Sequence, residues 1–168
     1  MKKIVVIGCP GSGKSHLSRR LHECTGLPLY HLDMLYWNSD RTTVSRELFC
    51  ERLGAILEGD VWIIDGNYSS TMEWRISMCD TVIFLDYKAE VCLRGISERR
   101  GKARPDMPWS EDGDIDIEFV RFVERFNIES RPKIVALLGG MTDKRIIWLR
   151  SRKDADEFLK REFSLDFC

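Results

Sequence analysis

Residues 8–15 read Gly-Cys-Pro-Gly-Ser-Gly-Lys-Ser, directly after the apolar run "KIVVI" at 3–7. An amphipathic stretch follows at once, with Leu17 and Leu21 four residues apart. No other segment constrains the fold as much as a glycine-rich turn between a short buried strand and a helix. The pattern G-x-x-x-x-G-K-[ST] aims successive backbone N–H groups and the positive end of the helix at one point, and that point suits a phosphate. Gly8, Cys9, Pro10, Gly11, Ser12, Gly13, Lys14, Ser15 and His16 are therefore expected to hold ATP or GTP. Lys14 is expected to reach the β- and γ-phosphates, and the Ser15 hydroxyl to ligate Mg2+. Cys9, beside the helix N-terminus, has two readings: a redox-sensitive thiol of lowered pKa, or a small residue at a tolerant position.

Strand-like and helix-like segments alternate along the rest of the chain, which argues for a parallel sheet covered on both faces. Strands are expected over 3–7, 27–32, 61–65, 81–86 and 145–149, with helices between them and a last helix over about 153–162. A longer helix over roughly 44–58 presents Leu48, Leu53, Ile56 and Leu57 as an apolar stripe. The segment "IDIEFVRFVERFNIESRPKIVALL" is helical, with a bend or restart near Pro132. The expected architecture is an α/β, three-layer, doubly wound sheet of five parallel strands, forming one domain over 1–168. At 168 residues and 43% hydrophobic the chain can bury a substantial core, and its formal net charge of -1 argues against a generally basic nucleic-acid binder. Six cysteines without zinc-ligand spacing fit free thiols of a reducing, cytoplasmic protein. No apolar run approaches the roughly 20 residues of a membrane span, and the apolar run in "MKKIVVIG" is too short for a signal peptide.

Three acidic residues close apolar runs: Asp33 in "LYHLD", Asp65 in "VWIID" and Asp86 in "VIFLD". Ligands of such sheets sit at the carboxyl ends of the strands, so all three could face the site. Asp65 is the candidate for the magnesium shell, because Gly66 lets the chain turn sharply after it. Asp33 is read as a base and a substrate or metal contact, with a helix N-cap as the alternative. His31 lies on the same face, either at the site or as a near-core histidine. Asp86 is read as a strand-terminal cap.

One long stretch, 99–114, lacks periodicity and is rich in charge, proline and glycine. With Arg94, Arg99, Arg100, Lys102 and Arg104 around it, it reads as a lid over about 99–115 that closes on phosphates and excludes water. Arg99 and Arg104 are the candidates for stabilising a transferring phosphoryl group. Arg75 could clamp an anionic acceptor or pair with a neighbour such as Glu73. Arg152, in the turn after the last strand, is a candidate contact to the nucleotide base. A GTPase-type switch is not expected, since no Asn-Lys-x-Asp guanine-reading stretch occurs.

Taken together, "GCPGSGKS", "YHLDMLYW", "WIIDGNYSSTMEWR", "RGKARPDM" and "RPKI" resemble the small bacterial P-loop proteins described as DNA topology modulation proteins, which look like adenylate kinases. The likeness covers nearly the whole chain. It implies a P-loop, nucleoside-monophosphate-kinase-like fold of strand order 2-3-1-4-5, ATP and Mg2+ binding, and a lid. The acceptor segment departs from adenylate kinases: Asp65-Gly66-Asn67-Tyr68-Ser69 stands where they carry Asp-Gly-Phe-Pro-Arg. His31-Leu32-Asp33 keeps only the second acid of the Asp-x-Asp found in shikimate- and gluconate-type kinases. The expected activity is transfer of the γ-phosphoryl group of ATP to a small-molecule or nucleotide acceptor, by a monomer or homodimer. The alternative is an ATP-binding regulatory or DNA-associated protein. No nucleic-acid or membrane partner is expected from the charge balance and hydropathy.

Overall fold

The computed structural model describes residues 1–102, 104–109 and 116–164. Cys168 and the expected lid positions 103 and 110–115 lie outside the described residues. The apolar runs form one sheet of β1 (Lys3–Gly8), β2 (Leu29–His31), β3 (Trp62–Asp65), β4 (Thr81–Leu85) and β5 (Arg145–Leu149). Its order is β2-β3-β1-β4-β5 and every ladder is parallel. The flanking helices are α1 (Lys14–Thr25), α2 (Leu32–Tyr36), α3 (Arg46–Leu57), α4 (Ser69–Met78), α5 (Ala89–Arg99), α6 (Ile117–Glu129), α7 (Arg131–Gly139) and α8 (Arg152–Phe163). The three central strands are buried on both faces, the physical reason they read as unbroken apolar runs. At the sheet edge, β5 leaves Arg145 and Trp148 exposed. No helix among the described residues is long and apolar enough to cross a membrane.

Register gathers the chemistry at one edge. Val6 stands opposite Asp65 and His31 opposite Asp65, so β2 and β3 end together, while β1 runs two residues further to Gly8, level with Leu85 at the end of β4. β2 is shorter than expected. Only Leu29–His31 pair with β3, and the buried Leu32 then opens α2 beneath the turn at Gly66. A Cβ on Gly66 would lie 2.9 Å from that of Leu32, and its φ of 125° is one that L side chains rarely adopt. Asp33 therefore sits in the first turn of a short helix rather than at a strand end, and the N-cap is His31. The helix over 117–139 restarts at Ser130, with Pro132 in the first turn of α7 where no N–H is needed. Asp86 is no cap. Its carboxylate takes two bonds from Arg131, at 2.6 and 2.8 Å, and ties α7 to the end of β4.

The phosphate-binding loop packs against α5 with no room for a side chain. A Cβ on Gly95 would lie 2.1 Å from the Gly11 carbonyl oxygen, and one on Gly11 would lie 2.1 Å from that of Cys92. This contact makes a prediction whose sign is diagnostic. In an isolated helix Gly→Ala would stabilise by up to about 1 kcal/mol. Gly95→Ala is instead expected to destabilise by about 1–3 kcal/mol through overpacking. The midpoint of urea unfolding checks this.

Candidate active site

A cleft of about 780 Å3 opens over the carboxyl edge of the sheet, walled by the loop Pro10–His16, Asp33, Asp65, Arg99, Arg104 and Arg152 among others. It thus brings together most of the residues that the sequence singled out. In the loop, Gly8, Gly11 and Gly13 have φ of 153°, 81° and 94°, conformations that let consecutive N–H groups turn toward one point. Lys14 folds back so that Nζ donates to the carbonyls of Gly8 at 3.0 Å and Cys9 at 3.2 Å. Burial lowers its pKa, against the opposing pull of Asp65 and Asp33. Asn67 brackets Gly8 from the other side. Gly8 N–H donates to Asn67 Oδ1 at 3.1 Å, and Asn67 Nδ2 donates to the Gly8 carbonyl at 2.8 Å.

Gly8 and Cys9 are not on the cleft wall. The Cys9 side chain, 1% exposed, packs inward toward Val123 and Cys92. Its pKa is raised, by Cys92 first and then by burial, and a thiol buried away from the cleft fits a small residue at a tolerant position rather than a redox-sensitive site. His16 lines the cleft from an exposed position, and burial followed by Arg19 and Arg20 lowers its pKa.

Asp65 is 4% exposed. Its Oδ1 meets His31 Nδ1 at 3.0 Å, while Oδ2 has no hydrogen-bond partner among the described residues. Burial alone would lower the His31 pKa, but the bond to Asp65 and its charge raise it above the ordinary value. Asp33, half-buried, accepts from the Tyr68 hydroxyl at 2.7 Å. Burial raises the Asp33 pKa, and the Tyr68 bond and Lys14 only partly offset this. Tyr68 holds a left-handed backbone, φ 36° and ψ 73°, at the N-cap of α4, uncommon for a residue with a bulky side chain.

Arg75 explains how that conformation is held, and it corrects the acceptor-clamp expectation. Its guanidinium is fully buried, outside the cleft wall. It donates to the carbonyls of Gly66 at 3.0 Å, Tyr68 at 3.3 Å and, more closely, Asn67. Burial lowers its pKa to about 10, which leaves it charged at neutral pH. A cation turned inward onto three successive carbonyls and buried away from the cleft presents no surface to an acceptor.

On the lid side, Arg99, Lys102 and Arg104 line the cleft. Arg104 Nη2 donates to Asp106 at 2.7 Å, and Arg19 lies 3.7 Å from the same carboxylate. Asp106 is 5% exposed. Burial pushes its pKa up, but the Arg104 bond and charge, helped by the Ser15 hydroxyl, hold it at about 2. Arg152 lines the cleft at the start of α8 and pairs with Glu98 at 2.8 Å. Sequence reasoning missed Asn67, Tyr68 and Asp106. The signal for the first two was their place directly after Asp65-Gly66, and for Asp106 its place amid lid cations.

No family model matches the chain, and no curated protein sequence matches it. Solved structures do. The chain is similar to shikimate kinase from Bacteroides thetaiotaomicron, with TM-score 0.60 and 18% identity over 95% of this chain and 94% of that one. It is similar to a sugar kinase from Janibacter sp. HTCC2649, with TM-score 0.56 and 16% identity over 98% and 93%. A gluconokinase from Sinorhizobium meliloti 1021 aligns with TM-score 0.53 and 17% identity over 97% and 94%. The chain therefore has the P-loop kinase fold.

Two outcomes follow from this geometry. Arg75→Met leaves three carbonyls without their donor and is expected to destabilise the protein by at least about 2 kcal/mol in chemical denaturation, with Arg75→Lys recovering only part. An acceptor clamp would instead change KM without that loss. Asp106 titrates lower in the folded chain than its ordinary value of 3.8, at about 2. Its contribution, about 2 kcal/mol, is present above pH 4 and is lost as pH falls toward 2. Unfolding free energies measured from pH 6 to pH 2 should show this loss, and Asp106→Asn should flatten it.

Proposed function

We propose that the protein is an ATP-dependent phosphotransferase that moves the γ-phosphoryl group of ATP to a hydroxyl of a small acceptor. The observation that carries this reading is one cleft holding both halves of the chemistry. The loop with Lys14 and Ser15 forms one end, and a carboxylate, Asp33, oriented by Tyr68, stands on the same wall. Structural neighbours of low identity supply only the fold, so the roles rest on the cleft residues themselves.

The loop N–H groups of Gly11 to His16 take the phosphates, Lys14 and the lid residue Arg99 stabilise the charge on the transferring group beside Arg104, which Asp106 holds in place, and Arg152 flanks the nucleotide. The acceptor oxygen bonds to the γ-phosphorus as the bond to the bridging oxygen of ADP breaks. ADP leaves with that electron pair, and Asp33 takes the hydroxyl proton. A pKa raised by burial suits Asp33 to this work, because a carboxylate nearer neutrality is a better base. Mg2+ fits the residues present. It needs one or two protein oxygens beside phosphates and water, and Ser15 with the unpartnered Oδ2 of Asp65 offers them. Bound there, Mg2+ would neutralise charge on the β- and γ-phosphates. His31 holds Asp65 by its other oxygen.

The DNA-associated alternative of the topology modulation type is supported by the basic run 94–104 alone, and Arg104 in that run is already engaged by Asp106. Gel shifts with and without ATP at two salt concentrations test it, since phosphate contacts give a steep salt dependence.

For the kinase reading, ADP release is measured against a panel of hydroxylated acceptors. Release well above the water rate with one class is the expected result, and a rate no faster than water with every class would sink the reading. Lys14→Ala should abolish release. Asp33→Asn should lower kcat by roughly 10²- to 10⁴-fold. The acid limb of the kcat/KM profile should lie above the ordinary carboxylate range, as the raised Asp33 pKa requires.

A further inference from the structure

The acceptor end of the cleft carries information beyond the transfer itself. Beside Asp33 its wall is Trp37, Tyr68, Met107 and Trp109. Trp37 follows α2 and Trp109 comes from the lid segment, and their rings meet edge to face at 5.1 Å. Tyr36 backs Trp37 at 5.3 Å and Tyr68 at 5.0 Å, and Phe49 lies 5.2 Å from Tyr68. Interlocked rings of this kind have few rotamers to lose, so the wall is already shaped for a flat partner. Both indoles are only half-buried and so retain surface toward the cleft.

Charge at this end points the same way. Asp33 is itself a carboxylate, and an anionic acceptor would meet like charge there. Three of the cations near it are committed elsewhere, and Arg99 and Lys102 line the cleft from the lid side. Arg104 bonds Asp106 at 2.7 Å, Arg19 lies 3.7 Å from Asp106, and Arg75 is buried on three backbone carbonyls. Lys14 belongs to the phosphate loop. A carboxylated sugar or a nucleoside monophosphate would bring its anion to the rings and to the like charge of Asp33.

We propose that the acceptor is an uncharged, nucleoside-like alcohol: a flat heteroaromatic ring laid against Trp37 and Trp109, with a free hydroxyl presented to Asp33. This rests on the kinase reading and narrows it to one substrate class. Stacking on an aromatic face accepts any flat ring, so the wall selects for planarity and neutrality rather than for one base.

The test uses the full chain with Mg2+-ATP and three acceptor sets: adenosine and thymidine, their 5′-monophosphates, and the sugar acids gluconate and shikimate. Nucleosides should release ADP at least about tenfold faster than the other sets, and nucleosides alone should quench indole fluorescence. Trp109→Ala should raise the nucleoside KM about tenfold with kcat nearly unchanged, while Trp109→Phe keeps KM within about threefold of the parent. Thermal melts of both variants separate lost stacking from lost folding. Faster transfer to monophosphates or sugar acids would overturn the proposal and leave the kinase reading standing. So would a KM indifferent to Trp109→Ala in a folded variant. Nucleoside quenching without any ADP release would keep the ligand class and remove the kinase reading, and neither quenching nor release would remove both.

Discussion

A guanidinium buried to zero exposure, Arg75, faces three successive backbone carbonyls, those of Gly66, Asn67 and Tyr68. A buried charge persists only where most of its donors are satisfied; here the Nη acceptors are the loop that leaves β3, and only Nε lacks a partner among the described residues. That loop then sets two other parts of the cleft. Asn67 fixes Gly8 at the start of the phosphate-binding loop through both its backbone groups. Tyr68, held in a left-handed conformation, brings its hydroxyl to Asp33. The phosphate end and the acceptor end are therefore connected through one cation that touches neither.

Around this frame, three carboxylates sit in three environments. Asp33 is raised by burial, with only partial relief from Tyr68 and Lys14. Asp106 is also buried but lies on Arg104, which holds it at about 2. Asp65 shares one oxygen with His31 and keeps the other unpartnered among the described residues. Under the proposed function, these separate environments suit Asp33 to act as base, Asp106 as structural anchor and Asp65 as metal ligand. The lid segment at 104–109 is locked to the P-loop helix by the same Asp106, through Arg19 in α1. Trp109 lies three residues beyond Asp106, so the placement of this segment and the aromatic wall at Trp37 are linked.

Much of the architecture was legible in the chain itself. The buried central strands announce themselves as unbroken apolar runs because both faces are covered, and Gly8 to Ser15 carry their conformation in their glycines. The restart near Pro132 was legible for the same local reason. Asp33 was misplaced by its neighbours: "LYHLD" reads as one strand, but β3 pairs with only three of those residues, and the burial of Leu32 under Gly66 bends the chain into α2. Arg75 was misread because nothing local distinguishes a cation aimed at solvent from one aimed at carbonyls seven to nine residues back.

The sequence by itself determined the parallel α/β sheet, the phosphate-binding loop and the acids near its edge, because strand periodicity, glycine conformation and loop spacing are local properties. Only the tertiary structure decided which of those side chains share a cleft. It turned Arg75 and Cys9 inward, set Asp106 on Arg104, and brought Trp109 against Trp37 across 72 positions of sequence. Those outcomes depend on burial and on contacts between distant segments, and neither exists until the sheet has assembled.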